Sequence, residues 1–509
     1  MRLLIFFCIL SFFTFLSFVS PVPAAGLQSP SHQALADILN SQPTISLGMM
    51  TVGIDPDAVD KTLVSLYDEN DMQPLWLENN QPGSRAHDLL RTLQHSDLDG
   101  LNPDDYKVAE ILTLWHQNDE TSRARLDVLL TLVLGRYVAD MREGSADPCL
   151  LDPKLFAAAR DQEVDILQVV NGALYTDNIS AYLQNQAPAH FPYQGLRKEL
   201  AHFRRLSRLG GWDTIPGGKT IKPNMSDPRL PLIVHRLKIT GELQDSTTYF
   251  QRYEPVLVEA VKKFQRHFLL EPDGIIGKKT LTALNIPVDE LVRKIILNME
   301  RWRWLPHRLD GKRIFVNIAG FRLFGATDEQ MEITMPVIVG RVYHKTPVFT
   351  GSLRYVEVNP YWNVPDSIAV KEIVPSMQKD PNYLKNHSIR IFKGWAEDAP
   401  EIDPTNINWK IIGKKIKRYR LRQDPGPENS LGRIKFIFPN TNNIYLHVTP
   451  ARQLFKRTIR SFSHGCIRVG KPLDLGVYVL KENKKPLDID QLRKIIAGKK
   501  RKIILLDKR

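Results

Sequence analysis

The chain has 509 residues, 43% of them hydrophobic and 25% charged, and a formal net charge of +13. This composition is ordinary for a globular protein, and the length predicts roughly three domains. The basic charge suits an anionic partner such as a cell-wall polymer or a membrane surface, whereas nucleic acid is not expected because no basic run is interleaved with aromatic residues. Three cysteines, Cys8, Cys149 and Cys466, are too few for a disulfide framework, and we expect two free thiols in the mature chain.

Residues 1–25 are predicted to be a secretory signal. Arg2 supplies a short positive region, Leu3 to Val19 an apolar core, and Ala24 and Ala25 small residues for cleavage. The apolar core is also long enough for an uncleaved inner-membrane anchor. In either case we expect the bulk of the chain to be exported to the periplasm.

Residues 28–227 are predicted to form a helical scaffold domain, because their apolar residues recur with a helical period. Thr121 is the predicted N-cap of an apolar helix that runs through Ala139. The last part of this region, residues 210–227, is rich in glycine and proline and is predicted to be a loop.

Residues 229–290 are predicted to form a small three-helix-type module. Leu257, Val261 and Phe264 fall on one face of a helix. The stretch from Asp273 to Gly277 is typical of a turn leading into another helix. These residues therefore indicate a fold and do not by themselves indicate ligand contacts.

Residues 310–509 are predicted to form a mixed, β-sandwich-like domain, which makes the whole chain multidomain α+β. From Arg313 onward the apolar pattern alternates as in strands. Residues 366–430 interrupt it with an insertion rich in Pro, Asp, Asn and Lys, and such an insertion is usually a lid or a binding element. Tyr361 and Trp362, at its start, are candidate contacts for a bound peptide, with core packing as the alternative.

The densest group of chemically active side chains surrounds the last cysteine. Ser463, His464 and Gly465 precede Cys466, and His447 ends an apolar strand-like run nineteen positions upstream. A cysteine thiolate is the nucleophile in many acyl transfers, and a nearby imidazole can take the thiol proton. The sequence therefore predicts an active site here.

Other interpretations of these residues remain open. Cys466 could be a small buried hydrophobe, and His464 could orient the loop without taking part in chemistry. A zinc site built from His447, His464 and Cys466 is possible by ligand type, but no CxxC or HExxH motif accompanies it. A disulfide between Cys149 and Cys466 would disable the proposed nucleophile.

The motif resembles that of the YkuD-type L,D-transpeptidases, in which a histidine and a spacer precede Ser/Thr-His-Gly-Cys. Arg468 stands where many members have asparagine, as it does in the large periplasmic YcbB-type murein L,D-transpeptidases. Residues 229–290 resemble the peptidoglycan-binding type 1 domain through Phe264-Gln265 and the turn from Asp273 to Gly277. The resembling proteins continue beyond a strand such as residues 502–506, so a terminal strand or tail is either missing here or not needed.

The resemblance implies an exported L,D-transpeptidase that forms 3-3 crosslinks between peptidoglycan stem peptides. Cys466 would take the acyl group of a donor tetrapeptide stem as a thioester, and His447 would act as base and then as acid. The carbonyl of Val448 would orient the histidine. The backbone N–H groups of Gly465 and Cys466 would form the oxyanion hole, and Arg468 would hold a substrate carboxylate.

The resemblance further implies that the insertion caps the substrate cleft. Ser463, His464, Tyr361 and Trp362 are candidate substrate-side residues. No metal or organic cofactor is implied, and carbapenem-type β-lactams are expected to acylate Cys466.

Two alternatives to transpeptidation stay open from sequence. A carboxypeptidase or endopeptidase would use water as the acceptor of the same thioester. A catalytically silent wall-binding scaffold would leave the thiol unactivated. An activated Cys466 is expected to react with electrophilic probes at neutral pH faster than an ordinary thiol with a pKa of about 8.5.

Overall fold

The computed structural model describes residues 30–41, 43, 56–151, 165–176, 178–244, 251–305, 307, 311–328, 330–396 and 398–508. The predicted signal, residues 1–25, lies outside the described residues. Among those that are described, none of the helices is long and apolar enough to cross a bilayer.

The helices are α1 Pro30–Asn40, α2 Pro56–Glu69, α3 Ser84–Gln94, α4 Val108–Trp115, α5 Glu120–Glu143, α6 Pro148–Leu151, α7 Ile166–Leu174, α8 Ile179–Gln184, α9 Phe191–Arg208, α10 Leu230–Ile239, α11 Pro255–His267, α12 Lys278–Leu284, α13 Val288–Arg303, α14 Asp366–Ile368, α15 Val374–Lys379, α16 Tyr383–Asn386, α17 Pro472–Leu480 and α18 Ile489–Ala497. A π-helical turn, Ala369–Ile373, joins α14 to α15, and short 3-10 turns cover Ser96–Asp99, Pro103–Tyr106, Pro404–Asn406, Gly413–Arg418 and Arg452–Lys456.

The strands are β1 Leu77–Glu78, β2 Gln81–Pro82, β3 Lys312–Asn317, β4 Arg322–Thr327, β5 Gln330–Gly340, β6 Tyr355–Val358, β7 Trp362–Asn363, β8 Ile389–Phe392, β9 Glu401–Ile402, β10 Arg420–Gln423, β11 Ile434–Ile437, β12 Leu446–His447, β13 Ser461–Ser463, β14 Ile467–Val469 and β15 Lys502–Leu505. The predicted α+β class is confirmed: a helical N-terminal region precedes a small helical module and a mixed-sheet domain.

Helix α5 is the centre of the N-terminal domain and is apolar on nearly all sides because other helices surround it. Its buried Asp127 accepts a hydrogen bond of 2.7 Å from the Tyr67 hydroxyl. The predicted N-cap, Thr121, was wrong. The helix instead begins after Asp119, whose carboxylate accepts the N–H of Ser122 at 2.9 Å and so caps the free helix end.

Helices α10, α11 and α12 enclose the core of the small module. The buried Gln265 side chain accepts the Gly274 N–H at 2.9 Å and donates to Asp273 and to Thr280. The Phe-Gln and Asp-Gly signals therefore hold the turn against α11. Gly274 has φ of +71°, a conformation that favours glycine.

The main sheet of the C-terminal domain has the order β15-β6-β11-β12-β14-β5-β4-β3, with β13 also paired to β5. Helices α17 and α18 cover its apolar face, to which Phe436, Leu446 and Ile467 contribute. Because side chains alternate along a strand, the residues next to these three project from the opposite face. That face carries Lys435, His447 and Arg468.

The insertion folds as a small domain with its own core, which we call the cap. Strands β7, β10, β8 and β9 form its antiparallel sheet, and α14, α15 and α16 complete it. The cap strands therefore run from residue 362 to residue 423, close to the predicted insertion of residues 366–430. Both ends return to the main sheet, which places the cap beside β6 and β11.

Candidate active site

The strand register brings the two predicted catalytic residues to the same region of the sheet. Strands β12 and β14 are parallel, with Leu446 opposite Ile467 and His447 opposite Arg468. Leu446 and Ile467 face the core, so His447 and Arg468 face the other side. Cys466 directly precedes β14 and shares the face of Arg468, two residues on.

The turn before Cys466 is held by two hydroxyl groups. The buried Ser463 hydroxyl donates to the Cys466 carbonyl at 2.6 Å and accepts the Gly465 N–H at 3.1 Å. Thr346 donates to the Gly465 carbonyl at 2.7 Å. Gly465 has φ of +122°, which only glycine adopts readily.

These bonds change the roles predicted for two residues. The Gly465 N–H is engaged by Ser463, so the prediction that it is available to an oxyanion does not hold for this conformation. Ser463 is occupied with the turn rather than with open space, because its hydroxyl makes both bonds inside the motif. The Cys466 N–H remains the predicted oxyanion donor.

The His447 ring is buried and oriented by its own neighbour. Its Nδ1 lies 2.5 Å from the Val448 carbonyl oxygen, so Nδ1 carries the hydrogen and Nε2 keeps its lone pair. Burial, with the nearby cations of Arg468 and Lys435, lowers the pKa of His447 to about 3. The imidazole is therefore neutral at pH 7 and able to accept a proton.

The Cys466 thiol is partly buried and donates weakly to the Asn443 carbonyl oxygen, 3.8 Å from the sulfur. Burial raises its pKa above the usual value, although Tyr445, Lys435 and Arg468 act in the opposite direction. The resting site is consequently a neutral thiol near a neutral imidazole. Burial therefore disfavours the thiolate in the free protein.

Arg468 is a partly buried cation with an unsatisfied donor. Its Nε has no hydrogen-bond partner among the described residues. Burial and the Arg341 guanidinium lower its pKa, whereas the Cys466 thiol and the Glu372 carboxylate raise it. A guanidinium beside the sulfur suits a carboxylate ligand.

His464 connects the turn of residues 463–466, which we call the catalytic turn, to the cap. Its Nε2 lies 2.7 Å from Oε1 of Glu372, in the π-helical turn of the cap, and 3.3 Å from the Arg341 guanidinium. Burial lowers the pKa of His464, so the contact is a hydrogen bond from a neutral ring at pH 7. Glu372 could not be predicted from local patterns, because its partner lies ninety-two residues away.

Tyr361 and Trp362 both have partners within the cap. The Arg422 guanidinium stacks 4.4 Å from the centre of the Tyr361 ring. Trp362 pairs with Gln423 across β7 and β10 and packs against the cap core. Both aromatics lie at the junction of the cap and the sheet and are half-buried, and contact with a peptide stays a prediction for both.

Three regions of the chain match known domain families. Residues 61–200 match the "Scaffold domain", residues 227–284 the "Putative peptidoglycan binding domain", and residues 311–484 the YkuD "L,D-transpeptidase catalytic domain". The third match contains the cysteine, the histidine and the shared face described above. Residues 311–484 form an L,D-transpeptidase catalytic domain.

The L,D-transpeptidase domain also has a curated relative. A Haemophilus influenzae protein named "Putative L,D-transpeptidase" is 38% identical over 192 residues, which is 38% of this chain and 38% of the relative. The chain thus aligns with about two-fifths of the length of that relative.

Two residues near the candidate active site, Tyr445 and Lys435, were not predicted as site residues from the sequence. Tyr445 precedes His447 by two positions, so it shares its face, and the two rings contact at 5.6 Å between centres. Lys435 lies opposite His447 in the β11–β12 register, with its Nζ 4.0 Å from the centre of the Tyr445 ring. The alternation of Lys435 with Ile434 and Phe436 was the available signal.

The peptidoglycan-binding module has an open cavity of about 320 Å³ on the side of the preceding loop. Gly217 and Gly218 of the loop, Arg229, and Lys278 and Thr282 of α12 contribute to its walls. The module therefore offers a recess of mixed polar and apolar lining as well as a core.

Proposed function

We propose that the protein is an exported L,D-transpeptidase that forms 3-3 crosslinks in peptidoglycan through a thioester on Cys466. The observation that carries this proposal is the position of Cys466, directly before β14, beside the parallel strand β12 that carries His447, with Val448 fixing the tautomer of the histidine. The family of the domain supports peptidoglycan as the substrate, and the proposed donor and acceptor are its stem peptides.

In the acylation step, the Cys466 sulfur attacks the carbonyl carbon of the donor-stem bond that precedes the terminal D-residue. Because both groups are neutral at rest, the thiol proton passes to Nε2 of His447 as the carbon–sulfur bond forms. The carbon–nitrogen bond then breaks, and the leaving amine takes that proton. A thioester remains on Cys466.

In the second step, the side-chain amine of an acceptor stem attacks the thioester. His447 takes a proton from this amine, and the sulfur leaves and recovers a proton. The new amide bond is the crosslink. The guanidinium of Arg468 is suited to hold a stem-peptide carboxylate during both steps.

The remaining parts of the chain fit this role. The signal at residues 1–25 would export the protein, cleaved or kept as an anchor, and the small module would bring it to the wall polymer. Carbapenem-type β-lactams would acylate Cys466, since they present a strained carbonyl to the same sulfur.

The test is mass spectrometry of muropeptides after incubation of the purified protein with disaccharide-tetrapeptide. We expect a 3-3 crosslinked dimer from the wild type and none from Cys466→Ala or His447→Ala, with the circular dichroism spectra of all three unchanged. Tripeptide without dimer would identify a carboxypeptidase. Unaltered tetrapeptide with wild-type protein would contradict enzymatic activity and leave a wall-binding scaffold.

A further inference from the structure

A lysine lies at the edge of the proposed catalytic site without an assigned role. We propose that the Lys435 ammonium stabilises negative charge on the Cys466 sulfur, and that Arg501 preserves this effect by holding Glu357 away from the lysine. The inference rests on the proposed function, because it assigns Lys435 as a positioning residue for the nucleophile.

The strand register fixes Lys435 on the catalytic face. Lys435 lies opposite His447 across the antiparallel pair β11 and β12. Its Nζ lies 4.0 Å from the centre of the Tyr445 ring, and this ring lies in edge contact with His447. Tyr445, which directly precedes β12, also lowers the pKa of the Cys466 thiol, so this residue acts on the sulfur and contacts the ammonium.

The ion pair between Glu357 and Arg501 leaves the Lys435 ammonium without a close carboxylate partner. Glu357 lies opposite Lys435 across β6 and β11, where it could neutralise the ammonium. Its Oε1 instead lies 2.5 Å from Nε of Arg501, just before β15. Within the described part of the chain, no carboxylate oxygen lies within 4.0 Å of the Lys435 Nζ.

The pKa shifts of Lys435 and Cys466 also indicate that the two charges favour each other. Burial lowers the pKa of Lys435, while the charges of Glu357 and Cys466 raise it. Lys435 in turn lowers the pKa of the Cys466 thiol. The titratable and charged groups of the site, from the strands packed here, from the turn before Cys466 and from the cap, are Tyr445, His447, Lys435, Arg468, Arg341, His464, Glu357, Arg501 and Glu372.

The lysine therefore offsets part of the penalty that burial imposes on the thiolate. A buried thiolate with a cation nearby is favoured over one without it, because the ammonium and the sulfur attract in a medium less polar than water. Arg468 is the other cation near the sulfur, and a substrate carboxylate would engage it. Lys435 then remains as the cation that serves the sulfur throughout the reaction.

The test is the pH dependence of Cys466 alkylation by iodoacetamide, followed by intact-protein mass spectrometry from pH 6 to 11. In Lys435→Met, which keeps an apolar stem over Tyr445, we expect the thiol to titrate roughly one pKa unit higher than in the wild type. Alkylation at pH 8 would then be about tenfold slower. Lys435→Arg should titrate within about 0.3 unit of the wild type, because it restores the charge.

Arg501→Met tests the second half of the inference. Freed Glu357 would pair with Lys435, so the thiol pKa should rise, and the double variant Arg501→Met with Glu357→Gln should return it towards the wild-type value. An unchanged titration in Lys435→Met, with an unchanged circular dichroism spectrum, would overturn the role of Lys435. This readout does not depend on crosslinking, so it can succeed or fail separately from the muropeptide assay.

Discussion

At the scale of single residues, the nucleophile and its base are both neutral at rest. Burial lowers the pKa of His447 to about 3 and raises the pKa of the Cys466 thiol. A cysteine–histidine ion pair would need the reverse order of pKa values. The site must then make the thiolate only as the carbonyl is attacked, which reserves reactivity for a bound substrate.

This order of pKa values predicts an unusual pH profile. Between pH 5 and pH 8 the thiol and the imidazole keep the same protonation states, so kcat/KM for release of the terminal residue should change by less than about twofold. A histidine with an ordinary pKa of about 6.5 would instead lose about thirtyfold at pH 5. A bell-shaped profile centred in this range would show that the reactive state is an ion pair.

The stability of the fold supplies the control for that experiment. The depressed pKa of His447 means that its contribution to stability is present above about pH 6.5 and is lost as the pH falls towards 3, because the unfolded chain takes up the proton first. Circular dichroism at each pH, with His447→Ala alongside, separates unfolding from a change in rate. Activity that falls only where the spectrum changes reports the fold, not the catalytic pair.

At the scale of elements, the polar contact between Glu372 and His464 joins the cap to the turn before Cys466. We expect Glu372→Gln to speed amide exchange in residues 366–379 by up to about fivefold, because a partly exposed pair of this kind contributes at most about 1 kcal/mol. Hydrogen exchange by mass spectrometry measures this directly. The same experiment with a stem-peptide ligand should show protection within residues 366–430 if the cap closes over the donor.

A matched variant inside the cap is Glu401→Gln. Glu401 pairs with Arg390 at 3.1 Å, within the cap sheet and apart from the motif. Glu401→Gln should leave amide exchange in residues 461–468 unchanged, whereas Glu372→Gln should increase amide exchange in these residues as well. Equal amide exchange at the catalytic turn in both variants would show that the Glu372–His464 contact does not stabilise that turn.

The comparison of sequence with structure separates local from long-range information. The α+β class and the candidate motif were predictable, because alternation, helical period and the run from Ser463 to Cys466 are all local patterns. The N-cap at Asp119 and the hydrogen bond from the Gly465 N–H to the Ser463 hydroxyl were not predicted, because several nearby oxygens compete for the same N–H group. Alternation with Ile434 and Phe436 assigns Lys435 to a strand face, but its position opposite His447 depends on strand register, and the contact of Glu372 depends on the position of the cap.

At the scale of the whole molecule, the buried Arg303 at the end of α13 links the scaffold domain to the helix that leads into the catalytic domain. It donates to the Tyr193 hydroxyl at 3.0 Å and to Glu300 at 3.2 Å, and it also donates to the Asp99 carbonyl. Asp99 in turn pairs with Arg197 of α9 at 3.0 Å. One guanidinium therefore bridges groups from three parts of the chain.

We expect replacement of Arg303 to increase amide exchange in the scaffold domain and to leave the catalytic domain intact. Arg303→Met leaves Glu300 without its cation and the Asp99 carbonyl without its donor, and we expect a loss of about 3–5 kcal/mol in the stability of the scaffold contact. Amide exchange in α9 should rise steeply, while exchange in β12 and β14 stays as in the wild type. Arg301→Met is the matched control, because Arg301 is exposed on the same helix and donates only a long bond of 3.4 Å to Asn298. Similar exchange in the two variants would mean that apolar packing of α9 on α13, and not the buried cation, holds the scaffold in place.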